Sequence, residues 1–192
     1  MAEIKGVLLS AWMTFLKTRY GEQAVAAALD TLDVDDQAKL AAPFLPSSWY
    51  SYDTLYTLRK LTKPLATRAD RNLSAEIGSF MAEHAFNGVY RSLLERDPVK
   101  QVKKFAWIGE FFFNEARKLE TEITSDRSCV VRYRYEQGAA PTRAICASLG
   151  AFWSRTIELS GAAGIRAAHT KCVAAGDECC EFTFAWELAA RP

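Results

Sequence analysis

No sign of charge dominates this chain. Its 24 basic and 23 acidic side chains leave a net charge of +1, so the electrostatic footprint of a nucleic-acid or anionic-membrane binder is missing. Lysines and arginines are scattered, and the nearest thing to a run, Lys100 to Lys104, is broken by apolar residues and reads as a solvated helix face. Long hydrophobic runs are absent too. The opening MAEIKGVLLSAWMTFLKTRYG interrupts its apolar residues with Ser, Thr and Lys and has no cleavage-site pattern. It is expected to form an amphipathic helix rather than a signal or a membrane span, and a cytoplasmic protein is the expectation. The sequence also lacks a glycine loop for phosphate, convergent paired carboxylates, and a nucleophile paired with a base, which argues against an enzyme.

What remains is the composition of a globular protein, 49% hydrophobic and 24% charged, long enough at 192 residues to bury a core. Ile4, Val7, Leu8, Ala11, Trp12, Phe15 and Leu16 recur at helical spacing, and Gly21 stops the pattern. Further helices are predicted over Glu22–Leu32, Asp53–Leu65, Ser74–Leu94 and Pro98–Glu122, with Pro98 suited to a first turn. After Asp126 the texture changes: CVVRYRYE reads as a strand, Ala140–Leu159 as a helix, and IRAAHTKCVA and CCEFTFAWEL as strands joined by a Gly176-Asp177 turn. The predicted class is α+β: an N-terminal helical part, residues 1–125, then a helix packed on a small antiparallel sheet, residues 126–192, in one domain.

The stretch HTKCVAAGDECCEF, beginning at His169, holds three of the five cysteines and one of the two histidines. Reduced cytoplasmic thiols favour metal binding or redox sensing over disulfides. His169, Cys172 and Cys180 offer three ligands, and Cys146 on the preceding helix is the natural fourth. A Cys3His set suits zinc and closes a tetrahedral site. On a regular strand His169 and Cys172 would face opposite ways, so their convergence needs an irregular step or a strand end. The plain alternative is that buried cysteines pack as small apolar residues, and Cys129 and Cys179 are read that way.

Taken together, IKGVLLSAWMTFLKTRYGEQAV, AEIGSFMAEHAFNGVY, FAWIGEFFFNEARKLE and VRYRYEQGAAPTRAICASLGAF resemble the haem–nitric oxide/oxygen-binding (H-NOX) domain family, with related vinyl-4-reductase-type ligand-sensing domains sharing the C-terminal pattern. The resemblance implies a signalling sensor that acts through a partner protein; pairing as a homodimer through an exposed helix face is the general default expectation. The family's zinc pattern, His-x-x-Cys-x7-Cys, falls on His169, Cys172 and Cys180. Two departures stand out. Gly109 occupies the place of the haem-ligating histidine. The propionate-binding Tyr-x-Ser-x-Arg motif reads Tyr133-Arg134-Tyr135-Glu136-Gln137. Zinc, structural or redox-responsive, is therefore the expected cofactor and haem is not expected. Trp107, Gly109, Phe111, Phe112, Tyr133 and Tyr135 either plug the vacated pocket or line it for an apolar ligand. The alternatives are a gas sensor binding haem through a non-standard ligand, and a sensor of small apolar molecules.

Overall fold

The computed structural model describes residues 2–114, 117–135 and 141–188. A short strand β1 (Glu3–Lys5) leads into α1 (Gly6–Tyr20), α2 (Glu22–Leu29) and α3 (Val34–Leu40). Strand β2 (Trp49–Ser51) and helices α4 (Tyr52–Leu65) and α5 (Leu73–Asn87) follow. The chain continues through α6 (Pro98–Lys103), α7 (Phe105–Phe112), β3 (Phe113–Asn114), β4 (Arg117–Ser125) and β5 (Ser128–Tyr135). Helix α8 (Arg143–Leu159) and strands β6 (Ala162–Lys171) and β7 (Cys180–Leu188) complete it. No helix among the described residues is long and apolar enough to cross a membrane.

Local chemistry sets the boundaries. Helix α1 ends where Gly21 turns to φ 87°, a conformation that costs glycine little. Four helices begin on side-chain caps: Asp33 accepts from Asp36 N–H, Ser51 from Asp53 N–H, Asp97 from Lys100 N–H, and Thr142 from Ile145 N–H. Pro98 takes the first turn of α6, as its spacing predicts.

The predicted helix Pro98–Glu122 is corrected. It breaks at Lys104 into α6 and α7 and gives way to strand at Phe113. In RKLETEITS, Leu119, Thr121 and Ile123 alternate with charged or polar neighbours, and this period of two wins over any helical pattern. β4 pairs antiparallel with β5, and Arg132 and Arg134 reach Glu122 and Glu120 across the ladder at 2.8 and 3.2 Å. The sheet thus begins at Arg117, before the expected changeover at residue 126.

The four strands are ordered β4-β5-β7-β6, all neighbours antiparallel, and a separate three-stranded sheet joins β2, β1 and β3. Helix α8 links the halves. Leu149, Phe152, Trp153 and Ile157 are buried along it, and Gly150 lets Phe182 of β7 approach to 3.1 Å of where a Cβ would be. The α+β class read from the sequence is the class of the structure.

Candidate functional site

Two features are built where α8 meets its neighbours. The first is a cluster of thiols and imidazole. Cys146 lies in the first turns of α8, Cys180 opens β7, and Cys172 follows the last residue of β6. The ladder between β6 and β7 shifts register between His169 and Lys171. That irregular step, together with the strand's end at Lys171, turns Cys172 to the side that His169 faces. Cys146 Sγ is 3.7 Å from Cys180 Sγ and 4.0 Å from Cys172 Sγ, and one ligand atom from each of the four residues lies within 4.8 Å of the others. Thiolates at the corners of a tetrahedron with metal–sulfur bonds of ~2.3 Å stand about 3.8 Å apart, so the spacing suits a bound divalent ion.

The surroundings hold this geometry. The His169 ring stacks on Phe182 with centroids 4.4 Å apart and planes 8° apart. Cys172 N–H donates to Asp177 Oδ2 at 2.7 Å, fixing the turn, and Val173 N–H donates to Cys180 Sγ at 3.4 Å. Burial and the adjacent Cys180 raise the Cys146 thiol, burial raises Cys180, and desolvation lowers His169. These shifts favour the protonated thiols of Cys146 and Cys180, whose protons a metal must displace to bind. Four protein ligands would leave no position open for a substrate. Cys129 and Cys179 are buried outside this group, and burial pushes the Cys129 thiol up to about 12.

The second feature is an apolar cavity of about 210 Å³ between α1, α4, α5 and α8. Ile4, Trp12, Leu55, Ile77, Met81 and Phe152 are among its walls. Arg59 and Lys63 of α4 and Arg117 of β4 also border it, and among the described residues no aspartate or glutamate does. Lys63 is exposed while Arg59 and Arg117 are partly buried, which sets the charge on the solvent side. Arg59 donates to the α8 cap, Thr142 Oγ1, at 3.0 Å. Arg117 lies 4.8 Å from the Phe113 ring centre and 4.6 Å from that of Tyr133.

None of the six residues read from the sequence as a pocket borders this cavity. Trp107 is half exposed and packs on Phe111, with ring centres 5.5 Å apart. Phe112 is fully buried against Phe86, Phe152 and Tyr90. A Cβ on Gly109 would meet Leu119 Cδ1 at 3.3 Å, so α7 backs tightly onto β4 at that point. Tyr133 is buried and accepts from Trp153 Nε1, while Tyr135 stacks on Tyr133. Glu136 and Gln137 of the altered propionate motif lie outside the described residues. The sequence reading followed the aromatic run of α7 and passed over the cavity. Its signal was present: Tyr52, Leu55, Arg59, Thr62 and Lys63 share one face of α4, so cations interrupt an otherwise inward-facing stripe.

Solved structures decide the fold. A mutant H-NOX protein from S. oneidensis in the Fe(II) ligation state matches with a TM-score of 0.71 and 11% identity, covering 98% of each chain. The Fe(II) unliganded H-NOX protein from K. algicida matches at 0.66 and 14%, covering 98% of this chain and 100% of its own. The chain has the H-NOX fold. A third structure with this fold, solved in work on haem redox potential and porphyrin distortion, matches at 0.66 and 11%, over 98% of each chain. No family model and no curated protein matches the sequence.

These H-NOX neighbours correct the cofactor expectation. Zinc was expected and haem was not, yet the neighbours are Fe(II) and haem structures, whereas zinc rests on the Cys/His cluster alone. The loss of histidine at Gly109 was given too much weight, because an axial bond to haem iron also comes from methionine or tyrosine.

The residues present fit haem in two respects. The walls are apolar, and Arg59, Lys63 and Arg117 suit its carboxylates. Met81 and Tyr52 carry the thioether and phenol that border the cavity. Neither histidine does: His84 stacks on Phe80 and His169 belongs to the thiol cluster. At about 210 Å³ the cavity is smaller than the ~300–1,000 Å³ of sites that enclose drug-sized ligands, so a macrocycle requires its walls to part.

Proposed function

We propose that this chain is a non-enzymatic sensor module whose input site is the cavity between α1, α4, α5 and α8, and whose output is contact with a partner protein. Its ligand in this reading is haem, held through a side chain other than histidine, and its signal is a gas. The observation that carries the reading is an apolar cavity, bordered by cations and by two side chains able to bond iron, in a fold shared with Fe(II) H-NOX proteins. When bound, haem supplies an iron centre that takes a diatomic gas. The chain's own residues would bind and orient it: Met81 or Tyr52 would donate to the iron, Arg59, Lys63 and Arg117 would face the carboxylates, and Trp12, Ile77 and Phe152 would exclude water.

Absorption spectra test this. Wild-type protein titrated with haemin should develop a haem band, and Met81→Leu or Tyr52→Phe should shift or abolish it. A spectrum unchanged by both substitutions contradicts these ligands.

The smaller volume of the cavity favours a second reading, a sensor of small apolar molecules that fill the space without moving the helices. In both readings Cys146, His169, Cys172 and Cys180 form a separate metal-binding site that ties α8 to β6 and β7. Elemental analysis of purified protein tests that site, with about one thiophilic metal per chain expected.

A further inference from the structure

Among the described residues, three cations border the cavity and no carboxylate does. An apolar interior needs no charge for its own packing, and each cation beside it loses some hydration. Cations at such a place are usually paired. Arg59 makes its hydrogen bond to the neutral hydroxyl of Thr142 at 3.0 Å, and neither Arg59 nor Lys63 is ion-paired among the described residues. The two are four apart on α4, so their side chains leave one face of the helix together. Ala144, Ile145 and Ser148, from the first turns of the 17-residue α8, border the same space. The positive end of that helix dipole adds to the field of the cations.

We infer that the cavity selects apolar carboxylates: Arg59 and Lys63 bind the acid group and the apolar walls take the body of the ligand. This rests on the reading of the cavity as the input site and goes beyond it by naming the recognised chemistry. Two sources share that chemistry, the carboxylates of haem and a free apolar acid. Arg117 stands on the same border, against the rings of Phe113 and Tyr133. A charge-assisted pair is stronger than a neutral hydrogen bond, so the acid should outbind its neutral counterpart by roughly tenfold or more.

The test is calorimetric titration of the full chain with octanoate and with octanol, and spectroscopic titration with haemin and with its dimethyl ester. At least one acid is expected to bind roughly tenfold tighter than its neutral counterpart, and the pair that shows the preference identifies the source. In the double variant Arg59→Gln/Lys63→Gln that preference should vanish while the neutral probe binds as before. Retained binding of the neutral probe also shows that the variant is folded, and Arg59→Lys should restore part of the preference. Acid and neutral probes binding equally, or a preference that survives in the double variant, overturns the carboxylate inference and leaves the cavity as the input site. If none of the four probes binds, the reading of the cavity falls as well.

Discussion

Gly78 of α5 lies so close to Ser148 of α8 that a Cβ on the glycine would stand 2.1 Å from the Ser148 carbonyl oxygen. Backbone cannot yield as a flexible side chain does, so the two helices cross at a distance only glycine permits. This crossing also sets the spacing of the cavity walls, because Ile77 and Met81 come from one helix and Ser148 and Leu149 from the other. Gly78→Ala should therefore destabilise the protein by about 1–3 kcal/mol or more, the cost of overpacking, and weaken ligand binding in the cavity. Thermal or urea unfolding measures the first effect and titration the second.

The thiol cluster makes a sharper prediction. Cys146→Ser, Cys172→Ser or Cys180→Ser should lower metal affinity by at least about tenfold, and elemental analysis after dialysis against a chelator should show the loss. Cys129→Ser should retain the wild-type metal content, since Cys129 lies outside the group. Metal held equally by all four variants would contradict the assignment.

This cluster was largely legible in the sequence, and the cavity was not. His169, Cys172 and Cys180 are near neighbours in the chain, so spacing alone gathers three ligands, and the hairpin register supplies the rest. The cavity draws Ile4, Leu55, Ile77 and Phe152 from four distant segments, and no local period reports where they meet. From the sequence, the bulky aromatic run of α7 could either plug a pocket or line one. In the structure Phe112 spends that bulk on packing against Phe86 and Phe152. The strand Arg117–Ser125 was missed for a different reason: two short helices precede it, and its charged residues match a solvated helix face as well as a strand edge.

Tyr133 belongs to the core rather than to a pocket. It is buried and accepts from the indole N–H of Trp153, itself packed on Phe105 with ring centres 4.1 Å apart. Tyr133→Phe leaves that buried donor unmatched, and unfolding should show a loss of about 1–3 kcal/mol.

Acid should weaken the helical half. The Asp36 carboxylate accepts from Lys60, Thr57 and Lys39 and is held well below the usual range. Asp70, which accepts from Thr67 N–H at 2.8 Å and pairs with Arg19, is lowered to about 2. A carboxylate whose folded pKa is depressed contributes stability above its unfolded value of about 3.9, and that contribution is lost as pH falls through the folded pKa. Stability should therefore decline from about pH 4 downwards. In Asp36→Asn it should be lower at pH 7 and fall less steeply over the same window, read from melting temperatures across the series.

The most direct test of the central claim is a haemin titration of the purified protein beside a variant whose cavity is filled, Ser148→Trp, followed by visible absorption. If the cavity is the input site and holds haem, the wild type should develop a haem band that saturates at about one haem per chain, and the filled variant should not. No band in the wild type, or the same band in both proteins, would contradict it.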